Sequence, residues 1–347
     1  MTSQRQQGGD HSTNLQAQTV IYHAGISMAD ARDIAQDVYR ANALEMAGLA
    51  RSIAAERCEQ WSENFLLKLC QVSPKLLSVL QDPDIQHALF SAQRDFARSG
   101  DEQLGESLAE LLVLRCQTNP QTLERLVLNE AISTVPKLTH VQVNILTLIW
   151  YLTQTVEPNV VDVSGLSRVW ARAIEPLLDG MTKSKANLEH LTYAGCVNIR
   201  MGTHSIWELA MDSYGQLFSL GLSEDRIPSE LTKYWTDERI FRPCLRDPRL
   251  KRVAQRLEFG FDLPNNDSFD LGQLRTGNYL DRAEFVEEVA ADFPDFVTLC
   301  DLWDNSLMSY VNLSTVGIAI AHSNSGRIHG PDENPGLEVW LGAGAQD

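Results

Sequence analysis

Between Ser27 and Gln71 the chain keeps a helical period over a far longer stretch than an ordinary globular helix needs. Ile34, Val38, Met46, Leu49, Ile53, Trp61, Phe65 and Leu69 recur at helical spacing. Ser27, with Asp30 one turn on, supplies a start signal for one long helix or two in tandem, reaching about Gln71. Small residues dominate the middle of this stretch (Ala41, Ala43, Ala47, Gly48, Ala50, Ala54 and Ala55) and permit close approach of a second helix. Two arrangements satisfy that pattern: a bundle axis shared between copies of the chain, and a helix packed within its own domain.

The rest of the chain reads as mainly α. Shorter amphipathic helices punctuated by Pro74, Pro83, Gly100 and Pro120 fill residues 73–135. The apolar run Val141–Leu152 forms another helix, followed by one around Leu166–Leu178. Residues 187–199 run helix, glycine stop at Gly195, then a strand-like Cys196 to Ile199. That order predicts a winged-helix-like middle, suited to packing or dimerisation. At the far end Asn312 and Ser314 are N-cap candidates for a small-residue helix, and Leu337–Leu341 alternates like a short strand. The expected organisation is a polar segment over 1–25, a helical domain over 26–135, a helical and winged-helix-like domain over 136–230, and a helical domain with a basic cluster and terminal strand over 231–347.

The front end differs from everything after it. QQGGDHSTNLQAQTVIYHAG, residues 6–25, offers almost no apolar side chain before Val20, so by itself it has too little to bury to offset its ordering entropy. Gln18–His23 is a strand candidate that needs a partner, supplied by the terminal strand or by identical segments of other copies. Gln7, Gly8, Gly9, Asp10, Asn14 and Gln16 are therefore candidate oligomerisation residues.

Charge and cysteine usage exclude several classes. With 46 acidic against 29 basic residues the net charge is −17, which disfavours broad attraction to nucleic acid or anionic lipid but leaves room for a confined basic site. Six cysteines without metal spacing (Cys58, Cys70, Cys116, Cys196, Cys244 and Cys300) read as free thiols of a reducing cytoplasm. No basic start with an apolar run marks a secretory signal. Val141–Leu152 contains Gln142 and Asn144 and falls short of the roughly 20 residues of a spanning helix.

One confined basic site stands out. Arg239, Arg242, Arg246, Arg249, Lys251, Arg252 and Arg256 place seven of the 29 basic residues within eighteen positions. Arginine forks bind phosphate bidentately, and Phe241 or Trp235 would add a stacking surface, so an anionic oligonucleotide is the candidate ligand. Internal salt bridges to Asp237, Glu238, Asp247 and other carboxylates are the alternative. By contrast the 187–199 helix, with Lys183 and Lys185 ahead of Glu189, complements phosphates poorly.

Catalytic patterns are missing: no phosphate loop, nucleophile elbow, zinc-protease helix or dinucleotide fingerprint occurs. His322 to His329 with Asp332 gathers a base, hydroxyls and a carboxylate, which turn chemistry after a helix also explains; a hydrolase would use His322, Ser325 or His329. Glu284, Glu287, Glu288, Asp292 and Asp295 read as a solvated face. No catalytic residue, metal or cofactor is expected.

QQGGDHSTNLQA at 6–17, GISMADARDIAQDVYRAN at 25–42, PKLTHVQVNILTLIWYL at 136–152, YGQLFSLG at 214–221, and LSTVGIAIAH with the terminal EVWL together resemble a family of bacterial defence-island proteins. The landmarks spread over most of the chain. Members of that family are similar to the membrane-acting effector of a Hailong-type phage-defence system. The resemblance implies a non-enzymatic homo-oligomer, with a tetramer as the favoured form. It also implies a short DNA oligomer, made by a nucleotidyltransferase partner, that holds the effector silent. Release would then depolarise the inner membrane through a channel in an abortive response, from a cytoplasmic starting point. The rival is a soluble oligomeric scaffold or nucleic-acid-responsive regulator.

Overall fold

The computed structural model describes residues 28–119, 122–255, 265–329 and 336–341. Gln18–His23, the six candidate oligomerisation residues (Gln7, Gly8, Gly9, Asp10, Asn14 and Gln16), Ser27, Pro120, Arg256 and Asp332 lie outside the described residues, as does the side chain of His329. Among the described residues the protein is mainly α, with four three-residue strands. The chain divides into two units, Met1–Glu56 and Arg57–Asp347.

The long period is realised as one continuous helix, α1 (Met28–Val72), of 45 residues. At 1.5 Å per residue it is roughly 67 Å long. Within the first unit Leu49 and Ile53, one turn apart, are 63% and 40% exposed.

In the second unit Trp61, Phe65 and Leu69, each a turn apart on α1, are buried, and Trp61 stacks on Phe65 at 5.7 Å. Pro74 opens a 3-10 helix, Pro74–Gln81. Pro83 sits in the first turn of α2 (Pro83–Ser99), and Gly100 closes it in the left-handed region at φ 65°. Helices α3 (Glu102–Gln117), α4 (Leu123–Thr134) and α5 (His140–Gln154) follow. A capping box of Thr139 and Gln142 starts α5, and every residue from Gln142 to Leu152 is buried. The most apolar helix thus lies within the core. Among the described residues no helix is long and apolar enough to cross a membrane.

Next come α6 (Val163–Leu178), α7 (Lys185–Tyr193), β1 (Val197–Ile199) and α8 (Ile206–Phe218). The expected order of helix, glycine and strand is present, with Gly195 at φ 74°. The partner of β1 is not a neighbouring hairpin strand. It is β4 (Val311–Leu313), antiparallel, with Asn198 opposite Asn312. Sequence order cannot announce a pairing that closes so long a loop.

The remaining elements are β2 (Phe241–Pro243), β3 (Lys251–Val253), α9 (Asn265–Thr276), α10 (Arg282–Ala290), α11 (Phe296–Asp304) and α12 (Thr315–His329). Of the two N-cap candidates for α12, Ser314 is used: its hydroxyl accepts from the Gly317 amide at 3.1 Å and donates to the Gly195 carbonyl at 2.6 Å. Gly317 is required there, because a Cβ would lie 2.1 Å from the Cys196 carbonyl oxygen.

Two sequence expectations are corrected. Residues 322–329 are not a turn after a helix but the last part of α12. His322, Ser323, Asn324 and Ser325 are all buried there, and the Asn324 amide donates to Thr147 Oγ1 on α5 at 2.8 Å. Leu337–Leu341 is not a strand; Leu337–Val339 forms a 3-10 turn. Alternation would have put Val339 beside Leu337, yet Val339 is 59% exposed. The 3-10 period instead brings Leu337 and Trp340 to one side, with Trp340 edge-on to Trp150 at 5.2 Å.

The expected boundaries at 135/136 and 230/231 do not separate cores, since one cluster of buried apolar residues runs from Trp61 to Leu337. A second, small cluster, including Leu222, Ile227, Phe241 and Leu271, lies beneath β2 and β3.

Candidate anion-binding site

The basic cluster is built around the two-stranded ribbon of β2 and β3. Phe241 faces Val253, Arg242 faces Arg252 and Pro243 faces Lys251. Because side chains alternate along a strand, Phe241 and Val253 bury one face in the small core while Arg242 and Arg252 share the other.

Most of the cations are already neutralised. Asp237 and Asp247 each accept from the backbone amide of the arginine two residues on, Arg239 and Arg249, at 3.0 Å, and each then holds that arginine's guanidinium. Arg249 keeps the Asp247 carboxyl down at about 2. Arg246 makes a bidentate pair with Glu288 on α10, at 2.7 and 2.6 Å, which raises its proton affinity and takes Glu288 out of the expected solvated face. Lys251 Nζ donates to the Trp235 carbonyl at 2.7 Å and sits 4.7 Å from the Trp235 ring.

Arg252 differs from these, and from Arg242 opposite it, which is engaged. Arg242 Nε donates to the Glu238 carbonyl at 3.3 Å. Arg252 is half-buried, its Nε is sealed from solvent without a hydrogen-bond partner, and no carboxylate pairs with it among the described residues. Burial, and then the charge of Arg242, hold its guanidinium below the usual arginine range. Two like charges opposite each other on a ribbon, one of them without a counterion, form a site that an anion would relieve.

The other candidates do not assemble. Lys183 pairs with Asp301 at 2.7 Å and Lys185 with Glu189 at 2.8 Å, so the α7 region offers no open cations from this pair. His322 lies edge-on to Trp150 at 5.9 Å within the helix packing. Among the described residues no three His, Cys, Asp or Glu side chains are grouped to hold a metal. All six cysteines are free thiols, and burial pushes Cys116 and Cys196 up to about 11, where they stay protonated.

Sequence reasoning missed Gln255. It follows β3 and reaches α8 near Tyr214, whose φ −128° and ψ 17° leave the helical range. Gln255 Nε2 donates to the Met211 and Asp212 carbonyls at 2.6 and 2.9 Å, and Tyr279 Oη donates to Gln255 Oε1 at 3.1 Å. Tyr214 Oη accepts from the Glu157 amide at 2.7 Å. At Gly215 a Cβ would sit 2.5 Å from Tyr279 Oη, so any larger residue has to push the ends of Tyr279 and Gln255 aside. The glycine after Tyr214 in YGQLFSLG was the one available signal.

A protein-family model matches residues 25–341. The chain belongs to that family. The match takes in α1, the ribbon and the terminal 3-10 turn, and leaves out residues 6–23. No match is found among curated proteins or among solved structures.

Proposed function

We propose that this protein is a non-enzymatic, homo-oligomeric effector of anti-phage defence, held inactive by an anionic nucleotide or short DNA oligomer bound at the β2–β3 ribbon. The observation that carries the binding half is Arg252, a half-buried guanidinium beside Arg242 with no carboxylate of its own among the described residues. Keeping such a charge unpaired costs stability, and proteins retain costs of this kind at functional positions. The defence half rests on the resemblance of the sequence landmarks to Hailong-type effectors. Oligomerisation is supported by the exposed Leu49 and Ile53 of α1 and by the candidate residues between Gln7 and Gln16, and the tetramer is the form the resemblance favours. In this reading the silencing oligomer comes from a nucleotidyltransferase partner. Its loss lets the cytoplasmic assembly disrupt the inner membrane as a channel, in an abortive response.

A second reading, a soluble oligomeric scaffold or nucleic-acid-responsive regulator, is favoured by α5, whose apolar residues are used inside the core. Native mass spectrometry of protein gently purified from its host tests the proposal first. A defined oligomer with a co-purifying nucleic-acid mass, together with dye leakage from liposomes after nuclease treatment, is the expected result. A bare monomer overturns the gated oligomer; an oligomer with nucleic acid and no leakage supports the regulator. Deletion of residues 1–24 that leaves sedimentation unchanged removes the front end from the assembly.

A further inference from the structure

Copies of a chain with net charge −17 repel one another, so they can meet only where the local charges balance and apolar surface is left to cover. The region of α7 and β1 meets both conditions. Leu188 and Thr192, one turn apart on α7, and Ile199 and Val311, opposite each other on β1 and β4, line a cavity of about 150 Å³. Leu307 and Tyr310, the ends of a 3-10 helix (Leu307–Tyr310) that leads into β4, complete the lining.

Apolar side chains protrude beside this cavity. Tyr193, next to Thr192, is 90% exposed, and Met201, two residues beyond Ile199, is fully exposed. Ile199 itself is 69% exposed although its strand partner Val311 is buried. Hole and knobs on one patch differ from apolar residues scattered singly over a surface. A cavity of that volume accepts one ring or one unbranched side chain, and methionine adapts to such gaps. A small apolar molecule held in the cavity would leave Tyr193 and Met201 in water, so covering them takes a second surface.

Charge narrows the choice of surface. Lys185 and Glu189 also line the cavity and pair at 2.8 Å. Lys183 pairs with Asp301 at 2.7 Å, and Arg200 donates to the Ser309 carbonyl at 3.0 Å. Three cations thus stand against two carboxylates in an otherwise acidic chain. Glu189 and Asp301 would repel an anionic lipid surface. A two-fold axis crossing α7 between Lys185 and Glu189 instead sets each of these residues against its opposite in a second copy.

Resting on the reading of the protein as a homo-oligomer, we propose that this face is a two-fold contact between copies of the chain. Met201 of each copy enters the cavity of the other, Tyr193 is covered beside it, and Lys185 meets Glu189 of the second copy. Such a contact closes at two copies, so its loss halves the assembly.

Sedimentation of the full-length chain over about a hundredfold range of concentration, with native mass spectra of the same samples, tests this. Met201→Glu removes the knob and Thr192→Trp fills the hole; both positions are exposed, so melting temperatures should hold. Val161→Glu, at an exposed apolar residue that does not line the cavity, is the control. The expected result is one oligomer for wild type and Val161→Glu, and association weakened at least about tenfold in each of the other two, leaving species of half the mass. An oligomer undiminished in either variant overturns this contact and leaves the homo-oligomer reading standing. A wild-type chain that stays monomeric overturns both, and a small apolar molecule or a second protein found bound to that monomer, and lost in Thr192→Trp, would take the face instead.

Discussion

The side-chain amide of Gln255 donates to the main-chain carbonyl of Met211 at 2.6 Å, one turn ahead of the break in helix α8 at Tyr214. It adds the Asp212 carbonyl at 2.9 Å and is itself held by Tyr279. A residue three positions beyond Arg252 thereby ties the basic ribbon to the central helices.

Gly215→Ala is expected to lower stability by about 1–3 kcal/mol, because the added methyl would press on Tyr279 Oη and Gln255 Oε1. Gln255→Leu should cost about 1–3 kcal/mol by leaving carbonyls unpaired. Urea denaturation reads both, and the double variant should fall short of the sum because the two share one contact. Wild-type midpoints for both singles would show that the junction is not a stabilising one.

Arg252→Met should leave the unliganded protein as stable as wild type, or up to about 1 kcal/mol more stable, since a half-buried charge without a carboxylate is replaced by apolar volume. Thermal shift in a phosphate-free buffer reports this. A clear drop in melting temperature would mean that the guanidinium has a stabilising partner.

Acid stability should report the clamp between α2, α3 and α4. Arg115, almost fully buried, donates to Asp84 and to Asn129 Oδ1 at 2.9 Å. The Arg115 bond, with help from Asn129, holds the Asp84 carboxyl below its usual range. A carboxyl depressed in the folded state stabilises above its unfolded value of about 4, and that contribution fades as pH falls through the folded value. Wild type should therefore exceed Asp84→Asn by a constant margin at pH 5–7, a margin that shrinks below pH 4. A difference independent of pH in denaturation curves would contradict the assignment.

Asn324→Ala should be costly although it only removes an amide. Asn324 is buried on α12, gives its amide to Thr147, and accepts from Arg327 at 3.0 and 2.9 Å. Truncation leaves a buried hydroxyl and a guanidinium short of a partner, worth about 2–3 kcal/mol. A near-neutral denaturation midpoint would show that the helices close over the gap.

Leu49→Lys with Ile53→Lys places charge on the exposed turn of α1. Exposed sites tolerate such changes within about 0.5 kcal/mol, so the melting temperature should hold while sedimentation moves toward smaller species. An unchanged sedimentation coefficient would remove this face from the assembly.

The helices of this protein were largely legible in its sequence, because local chemistry decides them. The long period from Ile34 to Leu69 becomes the single helix α1, Pro83 and Gly100 bound α2, and Thr139 with Gln142 starts α5. The basic cluster was legible too, as a density of arginines. Which arginine is left without a carboxylate was not, since the Arg246 partner, Glu288, lies on a distant helix. Periodicity tells which face is buried without saying what buries it. That is why β1 could not be assigned to β4, and why the alternation over Leu337–Leu341 did not disclose the 3-10 turn that sets Trp340 against Trp150. The sequence by itself determined the helical class and the place where positive charge gathers. Only the tertiary structure decided that Arg252, opposite Arg242, has no carboxylate paired with it among the described residues, because neutralisation depends on distances across the fold that no local pattern encodes.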